Sequence, residues 1–185
     1  MLSDNPRWIA GTEQAVIKHQ VAVALRARYP DGVYLYHRRV LNGTSETTID
    51  ILAVTSTGLW LVQVEEATGA KVQFAGKSGL FSSSYETFLV DGEDFTPVVE
   101  DIDTLTSRVV ETLETSGRSG VSVQSVLCLV GGRISAPSVV GGTSIATLPQ
   151  LLKLMKHGRS RLSGADVTAL ALTVGERFRR PRRTL

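Results

Sequence analysis

The sequence predicts a single mixed α/β domain, with helices packed on a central β-sheet. Three observations carry this. Residues 12–29 repeat apolar side chains at helical spacing. Three β-type runs follow in succession, separated by turn residues. After them, helical and strand patterns alternate to the end of the chain, as expected of layered α/β architecture. The chain has 185 residues, 42% of them hydrophobic and 21% charged. That is one domain's length, enough to bury roughly 70% of the unfolded surface. A disordered, collagen-like or disulfide-stapled chain is excluded, the last because Cys128 is the one cysteine.

The first helix is expected over 12–29. Ile17, Val21, Ala24, Leu25 and Arg28 share one face. Tyr29-Pro30-Asp31-Gly32 ends it, because the residue before proline avoids helical angles. Strands are expected at Val33–Val40, Thr48–Val54 and Leu59–Glu65, with turns at 42–45 and 55–58. Lys71–Ala75 and Glu86–Val90 read as further short strands around a Gly/Ser-rich loop. Thr96-Pro97 reads as the cap and first residue of a second helix. Its buried stripe is Val98, Ile102, Leu105, Val109 and Leu113. Val121–Val130 reads as a central strand, 131–142 as a loop and Thr143–Ala146 as a strand. Pro149–Lys156 and Ala165–Phe178 read as helices, the latter capped by Ser163 with Asp166 in its first turn.

Charge is unevenly placed. Up to Glu114 there are 9 basic and 16 acidic residues, and after it 11 and 2. Arg177, Arg179, Arg180, Arg182 and Arg183 crowd the end. Such asymmetry fits either a polyanion-binding half or two halves that complement each other. The acidic stretch Asp91, Glu93, Asp94, Glu100, Asp101 and Asp103 lacks calcium-loop spacing and reads as a solvated helix entry. No run reaches the roughly 18 apolar residues of a spanning helix. The opening MLSDNPRW has no apolar signal core, so a cytoplasmic location and no membrane partner are expected. Gly131-Gly132-Arg133 and Gly141-Gly142 read as turns, since no P-loop or dinucleotide fingerprint surrounds them. Cys128 reads as core, and His19 and His157 are isolated. His37, on the first strand, reads as structural or as facing a phosphate. Trp8 and Trp60 are candidates for base stacking, with Trp60 more naturally on the back of the sheet.

The second and third strands hold the candidate chemistry. Pairing Val54 with Leu59 sets Asp50 opposite Gln63, and a two-residue shift sets it opposite Glu65. Strict alternation then puts Asp50, Gln63 and Glu65 on one face of otherwise apolar strands. Buried carboxylates are costly unless paired or bound to a cation, and clustered oxygens suit a hard cation such as Mg2+. The alternative is a hydrogen-bonded sheet edge.

Ile49-Asp50-Ile51 followed by Gly58-Leu59-Trp60-Leu61-Val62-Gln63-Val64-Glu65 resembles the core of the nuclease-related domain, NERD, of the PD-(D/E)XK nuclease superfamily. Pro30-Asp31-Gly32, Val90-Asp91-Gly92, Thr96 and the run Val126–Gly131 extend the resemblance. It implies a restriction-endonuclease-like sheet flanked by helices and spans 10–178, leaving an arm at 1–9 and a basic tail at 179–185. It also implies metal-dependent phosphodiester hydrolysis on DNA or RNA, with Mg2+ or Mn2+. By this likeness Asp50 stands at the metal-binding Asp. Gln63 stands where an acid is usual and Glu65 where the catalytic Lys is usual. The helix Glu of the family falls at Lys18, with Glu13 too early by the count from Pro30. The two departures look reciprocal. One reading is a swapped site, in which Asp50 and Glu65 hold the metal, Gln63 assists and Lys18 supplies positive charge near Glu65. The other is a relative that binds nucleic acid or a protein without catalysis.

Overall fold

The computed structural model describes residues 11–42, 45–77, 84–158 and 161–179. Helix α1 (Gly11–Arg28) leads into strands β1 (Val33–Asn42), β2 (Ser45–Thr55) and β3 (Gly58–Glu66). Strands β4 (Val72–Lys77), β5 (Ser84–Val90) and β6 (Glu93–Asp94) precede helix α2 (Thr96–Thr115). Then come β7 (Val123–Val130), β8 (Ser138–Val140), β9 (Thr143–Thr147), α3 (Leu148–Lys156) and α4 (Gly164–Arg177). One sheet runs in the order β1-β2-β3-β7-β9-β8-β5-β4, with β6 attached to β5. β1–β2–β3 is an antiparallel meander, and β3 pairs parallel with β7. This is the mixed sheet with flanking helices expected from the sequence.

β3 and β7 lie in the middle, covered on both faces, which is why both read as nearly continuous apolar runs. On one face Leu52, Leu59, Leu61, Leu127 and Ile145 pack with Ile102, Leu105 and Val109 of α2 and Val167, Leu170 and Val174 of α4. On the other, Ile51, Ala53, Trp60, Val62, Val64 and Cys128 pack with Ile17, Val21 and Leu25 of α1 and Leu151 and Met155 of α3. Burial pushes the Cys128 thiol up to about 12, so it is a core group rather than a nucleophile. Among the described residues, no helix is long and apolar enough to cross a membrane.

Three local details differ from the sequence reading. The segment 131–142 contains β8, too short and too rich in turn residues beforehand to announce itself. Phe95 occupies the cap position of α2, and Val99 joins its buried stripe while Val98 is only partly buried. The hydroxyl of Thr96 instead accepts the Phe88 N–H at 3.1 Å, tying α2 to β5. At α4 the expected cap is present. Ser163 Oγ accepts the Asp166 N–H at 3.2 Å and Asp166 accepts the Ser163 N–H at 3.0 Å. The Ser163 hydroxyl, which donates to Asp166 Oδ2 at 2.6 Å, and then the Ser163 N–H hold the Asp166 carboxyl below its ordinary value. The tail from 180 onward and the arm with Trp8 lie outside the described residues.

Candidate functional site

The β1–β2 register is constant, pairing Tyr36 with Ile51 and Arg38 with Ile49. Between those pairs stand His37 and Asp50. His37 has φ 49°, a left-handed conformation uncommon for a residue with a side chain. Here both strands change which face their side chains take. Before it, Tyr34 and Tyr36 belong to the α1 layer, whereas Val40 beyond it belongs to the α2/α4 layer. Arg38 donates to the Phe178 carbonyl at the end of α4, 3.3 Å away. On β2, Ile51 and Ala53 face α1, but Ile49 packs in the opposite layer. Strict alternation had put Asp50 on one face with Leu52. The phase change turns it towards α1 instead.

The β2–β3 ladder runs from Thr55–Gly58 through Val54–Leu59 to Ile51–Val62, the register the sequence favoured. Beyond Val62, side chains take over the bonding. The Asp50 N–H donates to Gln63 Oε1 at 2.8 Å, and Gln63 Nε2 donates to the Thr48 carbonyl at 3.1 Å. The Val64 N–H donates to Asp50 Oδ2 at 3.0 Å. Asp50 and Gln63 therefore fill a fork between the strands. Gln63 must accept at one end and donate at the other, which an amide does and a carboxylate does not. That is a local reason for Gln at this position.

Helix α1 closes over the fork. Lys18 Nζ lies 2.6 Å from Asp50 Oδ1, with the Asp50 side chain 9% and the Lys18 side chain 27% exposed. This is a short charge-assisted contact that answers most of the cost of burying the carboxylate. One turn earlier, Gln14 Nε2 donates to Glu65 Oε2 at 3.1 Å. The fold thus gathers Lys18, Asp50, Gln63 and Glu65 at one end of α1. Lys18 meets Asp50, and Glu65 meets Gln14, a residue the sequence reading did not single out. Its only signal was its spacing, one turn before Lys18.

A hard cation takes six or more oxygens at close range, usually with several carboxylates or waters. Here one Asp50 oxygen faces an ammonium and the other a backbone N–H, Gln63 Oε1 holds the Asp50 N–H, and a Glu65 oxygen holds Gln14. Among the described residues, no three His, Cys, Asp or Glu gather where an ion fits. The residues in this arrangement do not fit the metal. The cationic place beside Asp50 is filled by Lys18.

A pocket of about 340 Å3 opens beside this pair. Ala15, Lys18, His19, Ala22, Val23 and Arg26 of α1 form one wall, and Tyr36, His37, Asp50 and Ile51 the other. The sequence had treated His19 as isolated, but both it and His37 line this cavity. Trp60 is buried in the α1/α3 layer, its Nε1 donating to Thr57 Oγ1 at 3.3 Å. His157 caps the end of α3. Part of the acidic stretch is structural rather than merely solvated. Asp103 accepts the Gly142 N–H at 2.9 Å and the Thr143 hydroxyl at 2.7 Å, holding the β8–β9 turn against α2.

A family model for the nuclease-related domain matches residues 13–130, most of the chain, from α1 to the end of β7. The chain belongs to the NERD family. Its sheet and helices agree with the restriction-endonuclease-like fold of the PD-(D/E)XK superfamily. The matched stretch contains Lys18, Asp50, Gln63 and Glu65. Members of this family usually use divalent metals. No curated protein and no solved structure matches the chain.

Proposed function

We propose that this NERD domain binds nucleic acid through the cleft between α1 and β1–β2, without a divalent cation and without cleaving the strand. The observation that carries this reading is Lys18 Nζ at 2.6 Å from Asp50 Oδ1. A nuclease needs a positive charge between its carboxylates and the scissile phosphate. Here that charge is part of the chain and is already neutralised by Asp50. The phosphate-facing charge of the cleft then comes from Arg26, with the imidazoles of His19 and His37 lining the same cavity as hydrogen-bonding groups. Glu65 in place of a lysine removes the group that would orient an attacking water.

A second reading, metal-dependent hydrolysis of DNA or RNA with Mg2+ or Mn2+, draws support from Asp50 and Gln63 meeting at the fork, with Glu65 two residues further on, inside the stretch that the family model matches. One pair of assays separates the two. Binding of a labelled oligonucleotide is expected to be the same in EDTA and in Mg2+, and to weaken steeply with salt as phosphate contacts do. Wild type and Asp50→Asn are expected to give equal background cleavage with Mg2+ or Mn2+. Metal-dependent cleavage present in the wild type and lost in Asp50→Asn would establish the hydrolase instead.

A further inference from the structure

We propose that the α1–β1 pocket takes one unpaired nucleotide, so that the domain selects single-stranded nucleic acid over blunt duplex. This deepens the reading of the cleft as a nucleic-acid site and rests on it.

Shape and chemistry favour a single nucleotide over a duplex backbone. A duplex presents its phosphates across an open, extended face. This cavity is instead a slot between a helix and a strand, of about 340 Å3, near the lower end of the roughly 300–1,000 Å3 range of small-ligand pockets. Its apolar lining is Ile51 and Ala22, with the Tyr36 ring in the wall and the exposed Ala15 and Val23 at the mouth. Apart from the Tyr36 hydroxyl and the Asp50 carboxylate already held by Lys18, the polar side chains of its lining are cationic or imidazole. An apolar slot with a basic rim matches a base inside and its phosphate at the mouth. Aromatic and guanidinium planes are what unpaired bases stack on, and the Arg26 guanidinium lies over the Tyr36 ring at 5.8 Å.

Two further observations point to the same place. Val23 of the lining is 51% exposed, and Val16, 56% exposed and seven residues earlier, continues its stripe along α1 outside the lining. With Leu172 they are the large exposed hydrophobics among the described residues. The second observation is His37. An imidazole in the left-handed region costs stability that glycine would not, and such strain persists mainly where a side chain is used. His37 is exposed at the pocket, directly after Tyr36 and across the ladder from Asp50.

The test uses a labelled 20-nucleotide DNA strand and the blunt duplex of the same sequence, measured by anisotropy in EDTA, with dAMP as competitor. The variants are Val23→Glu, which places an acid at the mouth, and His37→Gly. Leu172→Glu on α4 serves as a remote control. The single strand is expected to bind at least ten times more tightly than the duplex, and dAMP to compete. Val23→Glu and His37→Gly should each weaken the single strand at least fivefold, and Leu172→Glu should not. His37→Gly should meanwhile raise the melting temperature, a combination that a purely structural histidine does not give. Equal binding of duplex and strand, or binding untouched by both pocket variants, overturns the pocket assignment while leaving nucleic-acid binding in place. Failure of both probes to bind in EDTA overturns the underlying reading as well.

Discussion

Lys18→Met is expected to lower the stability of the domain by about 2 kcal/mol, read as a fall in the urea midpoint with an unchanged slope. Breaking a fully buried ion pair costs about 3–5 kcal/mol, and the 27% exposure of Lys18 reduces that. The loss arises because Asp50 stays in the fork, held by the Val64 N–H, with its charge unanswered. Asp50→Asn should restore part of the loss in the double variant, with a coupling of about 1–2 kcal/mol. Strictly additive midpoints would show that the contact carries no energy. Lys18→Glu probes the same idea from the other side. The wild-type melting temperature should not respond to millimolar Mg2+. Lys18→Glu should be unstable in EDTA and recover with Mg2+, because a ligand that binds only the folded state stabilises it. A wild type stabilised by Mg2+ would refute the view that the ammonium fills the cation's place.

Gln63→Glu is the second large effect expected, although the two side chains have the same size and shape. The substitution removes the donor to the Thr48 carbonyl and sets an anionic oxygen against it, beside the Asp50 carboxylate. A buried acceptor left without its donor costs about 1–3 kcal/mol, so a loss of about 2 kcal/mol is expected in EDTA. Thermal unfolding of the purified variant checks it. A midpoint equal to wild type would mean the fork does not depend on the amide's two-sided bonding.

Most of the fold was legible in the sequence because apolar periodicity is set by burial. The stripe Ile17, Val21 and Leu25 and the unbroken runs in β3 and β7 each had one consistent place to go. The register of β2 on β3 was legible too, since the turn at 55–58 fixes it. The site was only half legible. Its residues were identifiable as polar interruptions and through the family likeness. Their partners were not, because the alternation rule fails at His37 and Asp50. A single left-handed residue there turns Asp50 towards Lys18, and nothing in the local sequence announces it. β8 stayed hidden for a different reason. Three residues are too few to show a period, and its place depends on Asp103, far away on α2.

The order of the sheet has a consequence for how the molecule opens. Among the described residues, β4 and β5 reach the rest of the sheet through two residue pairs, Ser84–Val139 and Tyr85–Val140, and one isolated bridge between Lys71 and Arg133. By contrast, β3 and β7 are joined along eight consecutive pairs. Local openings follow such weak seams. Amide protons of β4 and β5 should therefore exchange with deuterium through a partial opening, ahead of those of β3 and β7. The meander that holds the Lys18–Asp50 contact would stay closed throughout.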